Sequence, residues 1–166
     1  MDTNLIILRG PSGSGKSTIA KKLKDSSPRK VATIEQDMFR INILHNQAGS
    51  RELSATMMRD AILSSLDNGY DVITDGIFNI SHYKKIFDEI LDKHRGNNFI
   101  YYFNISFEET MRRHATRDKK SDFGTEEMQK WYTSASPSGY DFEKEITEDM
   151  SEELILKKIS KDVCYT

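Results

Sequence analysis

Residues 10 to 18 read Gly10-Pro11-Ser12-Gly13-Ser14-Gly15-Lys16-Ser17-Thr18, the spacing G-x-x-x-x-G-K-S. Every residue type in that run suits a polyphosphate. Glycines let a backbone wrap an anion with its N–H groups turned inward, at conformations that a side chain resists. A helix starting at the end of the loop adds unpaired amides and the positive end of its dipole. Lys16 brings a mobile cation for the outer phosphates, and Ser17 a hydroxyl able to ligate magnesium. The expected binding set is therefore Gly10, Ser12, Gly13, Ser14, Gly15, Lys16, Ser17 and Thr18. In isolation the same run is an ordinary Gly/Ser turn. Its flanks decide the matter, with Leu5–Leu8 apolar before it and Ile19-Ala20-Lys21-Lys22-Leu23 helix-like after it. A nucleoside triphosphate is the expected ligand, and the absence of an N-K-x-D element for guanine favours ATP with Mg2+.

Three further clusters carry chemistry. Asp37 and Arg40 are three apart, so they share one side of a helical first turn. There Asp37 can accept the proton of an attacking hydroxyl and Arg40 can steady a phosphate. Spacing alone equally allows Asp37 as an N-cap and Arg40 as a surface residue. Asp75 ends an apolar run, where a carboxylate can hold magnesium directly or through water, or can simply belong to a turn. Arg113 and Arg117 are four apart within the basic stretch Arg112 to Lys120. They read either as a lid that closes over phosphates or as a solvated helix end favoured by the macrodipole. Ser17 and Asp75 are thus the candidate metal residues, and Lys16, Asp37, Arg40 and Arg117 the candidate catalytic ones.

Strands and helices alternate along the chain. Val31–Ile34, Tyr70–Thr74, Phe99–Ile105 and a weak run at Glu145–Thr147 join Leu5–Arg9 as expected strands. Met38 to Leu66 reads as helical with a break near Asn46–Ser50. Ser81 is placed to cap a helix in which Tyr83, Ile86, Phe87, Ile90 and Leu91 recur at helical spacing. Ser106 opens another, with Glu109 positioned for a capping box, and Glu152–Ile159 closes the chain. This order predicts an α/β three-layer sandwich around a mainly parallel five-stranded sheet. Ligands of such sheets bind at the carboxyl ends of the strands, where all four clusters fall.

A chain of 166 residues is expected to be one domain, 1–166, with a helical lid near 112–125. Its formal charge of −2 offers no basic field for long nucleic acid. The lone Cys164 gives no disulfide framework, and no apolar stretch approaches a signal peptide or membrane span, so a cytoplasmic protein is expected. His82, His94 and His114 form no metal-ligand spacing and read as surface or packing residues. Met57-Met58 reads as core, Trp131 and Tyr132 as packing, and Glu148, Asp149, Glu152 and Glu153 as a solvated acidic face.

The four clusters, in this order, resemble the small P-loop kinases that include phage polynucleotide kinase, chloramphenicol phosphotransferase and the zeta toxins. The resemblance covers most of the chain and includes Phe103–Thr110, which is similar to the fourth strand and lid helix of that group. It implies a P-loop NTPase fold and transfer of the γ-phosphate of ATP to a hydroxyl. It also implies Asp37 as general base, Arg40 on phosphate, Arg113 by the adenine and Arg117 on the phosphates. Where polynucleotide kinase has D-T-N after its third strand, this chain has Asp75-Gly76-Ile77 with Asn79 displaced. The acceptor class stays open between a small molecule, a nucleotide sugar and a polynucleotide 5′-hydroxyl. A nucleotide-dependent switch is the rival from another class, but Ile77 cannot orient water as a switch requires. The residues His45 to Arg59 are the expected acceptor region.

Overall fold

All five expected strands form, and all run parallel. In the computed structural model, which describes residues 2–115, 126, 129, 132 and 136–165, they lie in the order β2-β3-β1-β4-β5. The strands are β1 (Asn4–Arg9), β2 (Val31–Glu35), β3 (Asp71–Gly76), β4 (Asn97–Asn104) and β5 (Glu143–Thr147). Helices α1 (Lys16–Ser26), α2 (Ser50–Asp67), α3 (Ile80–Lys93), α4 (Phe107–Ala115) and α5 (Glu152–Asp162) connect or follow them. None of the described helices is long and apolar enough to cross a membrane.

The central strand explains the layering. Every residue of β1 is buried, so its side chains must alternate between two cores. Leu5 and Ile7 enter one with Met58, Ile62, Phe87 and Ile90 of α2 and α3. Ile6 and Leu8 enter the other with Ile19, Leu23, Ile155 and Ile159 of α1 and α5. Met58 is core as expected, and Met57 packs against it partly buried.

Boundaries differ from the sequence expectations where polar side chains intervene. Strand β3 runs on through Gly76, because Leu8 and Arg9 of β1 continue to pair with Asp75 and Gly76. Helix α3 is capped by Asn79 rather than Ser81: the Asn79 Oδ1 accepts from the Ser81 N–H at 3.0 Å and from its hydroxyl at 2.7 Å. Only half of the expected capping box forms at Ser106. Its Oγ accepts from the Glu109 N–H at 3.3 Å, but the Glu109 carboxylate turns to Arg112 and Arg113. Glu148 takes over, accepting from the Ser106 N–H at 2.9 Å. The acidic C-terminal face is therefore only partly idle, since Glu152 also pairs with Lys22.

At the amino ends of the strands, a buried polar knot fixes the sheet. Asp71 accepts from the Asn4 N–H at 2.9 Å and from the Tyr165 hydroxyl at 2.9 Å, and pairs with Arg29 at 3.1 Å. His94 is a packing residue there, bonded to Thr3 at 3.0 Å and Asn98 at 2.7 Å. Nothing in this knot faces the carboxyl ends of the strands, where the candidate site lies.

Candidate active site

Strand β1 ends in Arg9, and the chain then turns over the edge of the sheet. Gly10 has φ +145°, and a Cβ there would lie 2.7 Å from the Phe103 carbonyl oxygen and 2.9 Å from its Cβ. The first glycine of the motif thus serves the passage of the loop across β4. The loop continues into α1, whose N-cap is Gly15 and whose first turn no side chain caps. Its amides stay available to an anion. Lys16 is buried and donates to the Pro11 carbonyl at 2.7 Å and the Ser14 hydroxyl at 3.2 Å, folding its ammonium back along the loop.

Asp75 is the loop's counterpart on β3. It is 7% exposed, and its Oδ2 accepts from the Ser17 hydroxyl at 2.6 Å. Burial pushes the Asp75 carboxyl above the usual carboxylate range, while the Ser17 hydroxyl bond and the Lys16 charge oppose that shift. A buried carboxylate beside a serine hydroxyl is an oxygen donor pair that suits a hard cation such as magnesium. Among the described residues no cluster of three or more His, Cys, Asp or Glu side chains offers another metal site. The two residues line a cavity of about 160 Å³ together with Ser12, Gly13, Gly15, Lys16 and Asp37. Gly10, Ser14 and Thr18 do not line it: Gly10 lies against Phe103, Ser14 is buried beneath the loop, and Thr18 is exposed on α1.

The segment after β2 supplies the opposite wall. Met38–Ile43 winds as a π-helix, with the Leu44 N–H donating to the Phe39 carbonyl at 2.9 Å. The π-helix is a rare conformation found mostly as single turns at functional sites. It begins at Asp37, whose side chain is 56% exposed and caps nothing. Asp37 instead pairs with Arg40 at 2.7 Å, and Arg40 also donates to Asn46 at 2.8 Å. That excludes the N-cap reading of Asp37.

A second cavity, about 720 Å³, adjoins this pair at Arg40. Arg40, Asn46, Arg51, His82, Tyr83 and Lys85 are among its lining residues. Arg51 came from the expected acceptor region, but Arg59 turns away to pair with Glu89 at 2.7 Å. Asn79, displaced in sequence, is a helix cap rather than an acceptor ligand.

Sequence reasoning missed Gln36, His82 and Tyr83. Gln36 lines the smaller cavity, and its Oε1 accepts from the Phe78 N–H at 3.1 Å. Phe78 is held at φ +45°, an unfavourable conformation for a bulky residue, by that bond and by its buried ring against Tyr83 and Phe87. Burial raises the Tyr83 hydroxyl above its ordinary range, while the neighbouring Gln36 side chain and the Arg40 charge oppose that shift. Helical spacing correctly made Tyr83 core, yet spacing says nothing of where a phenol's polar tip emerges. Gln36 carried a usable signal, its place directly after a strand.

On the far side of the loop, Arg113 of α4 donates from Nη1 to the Ser14 carbonyl at 2.9 Å and from Nε to Glu109 at 2.6 Å. Arg117, Trp131 and most of the expected lid at 112–125 lie outside the described residues.

A family model described as an AAA domain matches residues 5–138, well over half of the chain. The chain belongs to this family. Solved structures similar to this AAA-domain protein share its fold from end to end. The gluconokinase from Sinorhizobium meliloti 1021 is 14% identical with a TM-score of 0.71, over 97% of this chain and 91% of that one. The Mycobacterium tuberculosis APS kinase CysC, in complex with AMPPNP and APS, is 14% identical with a TM-score of 0.73, over 99% of each chain. The Deinococcus radiodurans tunicamycin resistance protein is 14% identical with a TM-score of 0.72, over 99% and 97%. No curated protein matches the sequence significantly. The fold of this AAA-domain protein is therefore the P-loop NTPase fold of the small kinases.

Proposed function

We propose that the chain is a phosphotransferase that moves the γ-phosphate of Mg–ATP to a hydroxyl of a small or nucleotide-type acceptor, in the cytoplasm. One observation carries the reading: Asp37 borders the phosphate-sized cavity of Ser17 and Asp75, and its ion-pair partner Arg40 lines the larger cavity beside it. A switch protein has no use for a second cavity beside that ion pair.

In this reading the loop amides and Lys16 hold the triphosphate, and Lys16 exchanges its internal bonds to Pro11 and Ser14 for phosphate oxygens. Ser17 and Asp75 would hold magnesium, which when bound neutralises charge on the outer phosphates. Asp37 takes the proton of the acceptor hydroxyl as its oxygen attacks the γ-phosphorus in line. The bond to the ADP oxygen breaks, and Asp37 later releases its proton to water. Arg40 orients Asp37 and steadies the phosphate. Arg113 lies on the loop at the nucleotide side, and Arg117 takes the transferring charge as the resemblance implies.

The test is transfer of label from γ-labelled ATP to a panel of sugars, nucleosides, nucleotide sugars, antibiotics and a 5′-hydroxyl oligonucleotide. Label on one class, lost with Asp37→Asn, is the expected result. Slow phosphate release that no acceptor and no Asp37 substitution changes would overturn it in favour of a nucleotide switch.

A further inference from the structure

The larger cavity differs from the surface around it in how its cations are used. Arg40 in its lining is paired with Asp37, and nearby Arg59 pairs with Glu89 and Lys84 with Asp88. In the cavity lining, Arg51 donates only to His82, at 3.3 Å from Nη1 to Nε2, and Lys85 meets no carboxylate among the described residues. Glu52 is the single acidic side chain in that lining. With Arg40 and Asp37 cancelling, Arg51 and Lys85 outnumber it.

Placement makes the excess useful. Arg51 stands in the first turn of α2 and His82 and Lys85 in the first two turns of α3, so the two helix starts converge on the cavity. Gly49 caps α2 without any side-chain bond, which leaves its first amides directed at the same space. Arg40 and Tyr83 close the cavity on the side of Asp37. An occupant would thus lie beside the Arg40–Asp37 pair at one end and meet Arg51 and Lys85 at the other.

We propose that the acceptor is a small hydroxyl compound carrying an anionic group, a phosphate or carboxylate, which Arg51 and Lys85 hold while its hydroxyl lies at Asp37. The proposal rests on the phosphotransferase reading and names its substrate class.

Three compounds on one carbon skeleton test it: glycerol 3-phosphate, glycerate and glycerol. Each is titrated into the full chain with a non-hydrolysable ATP analogue and magnesium filling the loop. The Arg51 Nε–H resonance and calorimetry report binding. At least one anion is expected to bind ~10-fold or more tightly than glycerol, and to lose ~10-fold or more in Arg51→Gln or Lys85→Gln. The stronger of the two anions identifies the group. Partial retention in Arg51→Lys separates loss of charge from loss of folding. Equal binding of all three compounds, anion binding indifferent to the double substitution, or no response of Arg51 to either anion at millimolar concentration would overturn the inference. None of these readouts requires phosphoryl transfer. Failure here leaves the kinase reading standing, whereas an unlabelled panel in the transfer assay counts against that reading alone.

Discussion

Replacing Glu143 with alanine should destabilise the protein severely, because it strands a charge directly beneath the phosphate loop. Arg9 is 0% exposed and its Nη1 donates to Glu143 Oε1 at 2.7 Å, with the carboxylate itself only 7% exposed. The second carboxylate oxygen accepts from the Ser138 N–H at 2.7 Å. After Glu143→Ala the guanidinium keeps the Phe78 and Ser136 carbonyls, each at 3.0 Å, and the face of Tyr102 at 5.8 Å. None of these neutralises it, and among the described residues its Nε already has no partner. Breaking a buried pair on one side costs about 3–5 kcal/mol. For a chain of 166 residues that is a fall in Tm of roughly 6–20 °C. Thermal unfolding followed by circular dichroism measures it. Arg9→Met with Glu143→Leu should recover most of the loss, since an apolar pair of similar bulk removes both charges. A Glu143→Ala loss under about 1 kcal/mol, or a double variant as unstable as the single one, would show that water reaches Arg9 and that the buried-charge argument is wrong.

Three other outcomes are expected. Asp37→Asn should lower kcat by ~100- to 10,000-fold with little change in ATP affinity, the usual share of a general base; unaltered transfer removes Asp37 from that role. Asp75→Asn should raise the Tm of the nucleotide-free protein at pH 7. Burial raises the folded Asp75 pKa above its unfolded value, so ionisation costs stability once pH has risen through the folded pKa. The same variant should lose the stabilisation given by Mg–ATP, and a lower nucleotide-free Tm would contradict the sign. Gly76→Ala should cost about 1–3 kcal/mol in urea unfolding, because its Cβ would meet Gln36 Cβ at 2.6 Å and Oε1 at 2.5 Å; a neutral result means Gln36 moves aside freely.

The fold was legible because β1 and its neighbours are apolar on both faces and separated by helix-length segments, which leaves little besides a covered parallel sheet. That Ser17 and Asp75 meet follows for a related reason, since β1, which leads into the loop, registers beside β3, which carries Asp75 near its end. What stayed hidden depends on contacts between distant elements. Nothing local to Glu143 announces a buried partner at Arg9, and nothing local to Arg51 announces His82 on another helix. Asn79 and Glu148 show the same limit at helix ends. Asn79 took the cap expected of Ser81, and Glu148 the Ser106 N–H expected to bond Glu109, because each side chain reached the N–H group from a loop.

The crossing of Gly10 over Phe103 also sets the order in which the chain matures. Leu5 pairs with Val72 on one side and with Asn98 on the other, so the strand made first has its two neighbours made much later. During synthesis the glycine loop leaves the ribosome early but has no floor until β4 follows it. Such distant parallel pairings are slow to form and leave apolar strands uncovered meanwhile. Nucleotide therefore cannot act as a ligand chaperone for the growing chain. Nascent chains halted before residue 104 should need holdase protection, and ATP should rescue only chains that extend past β4.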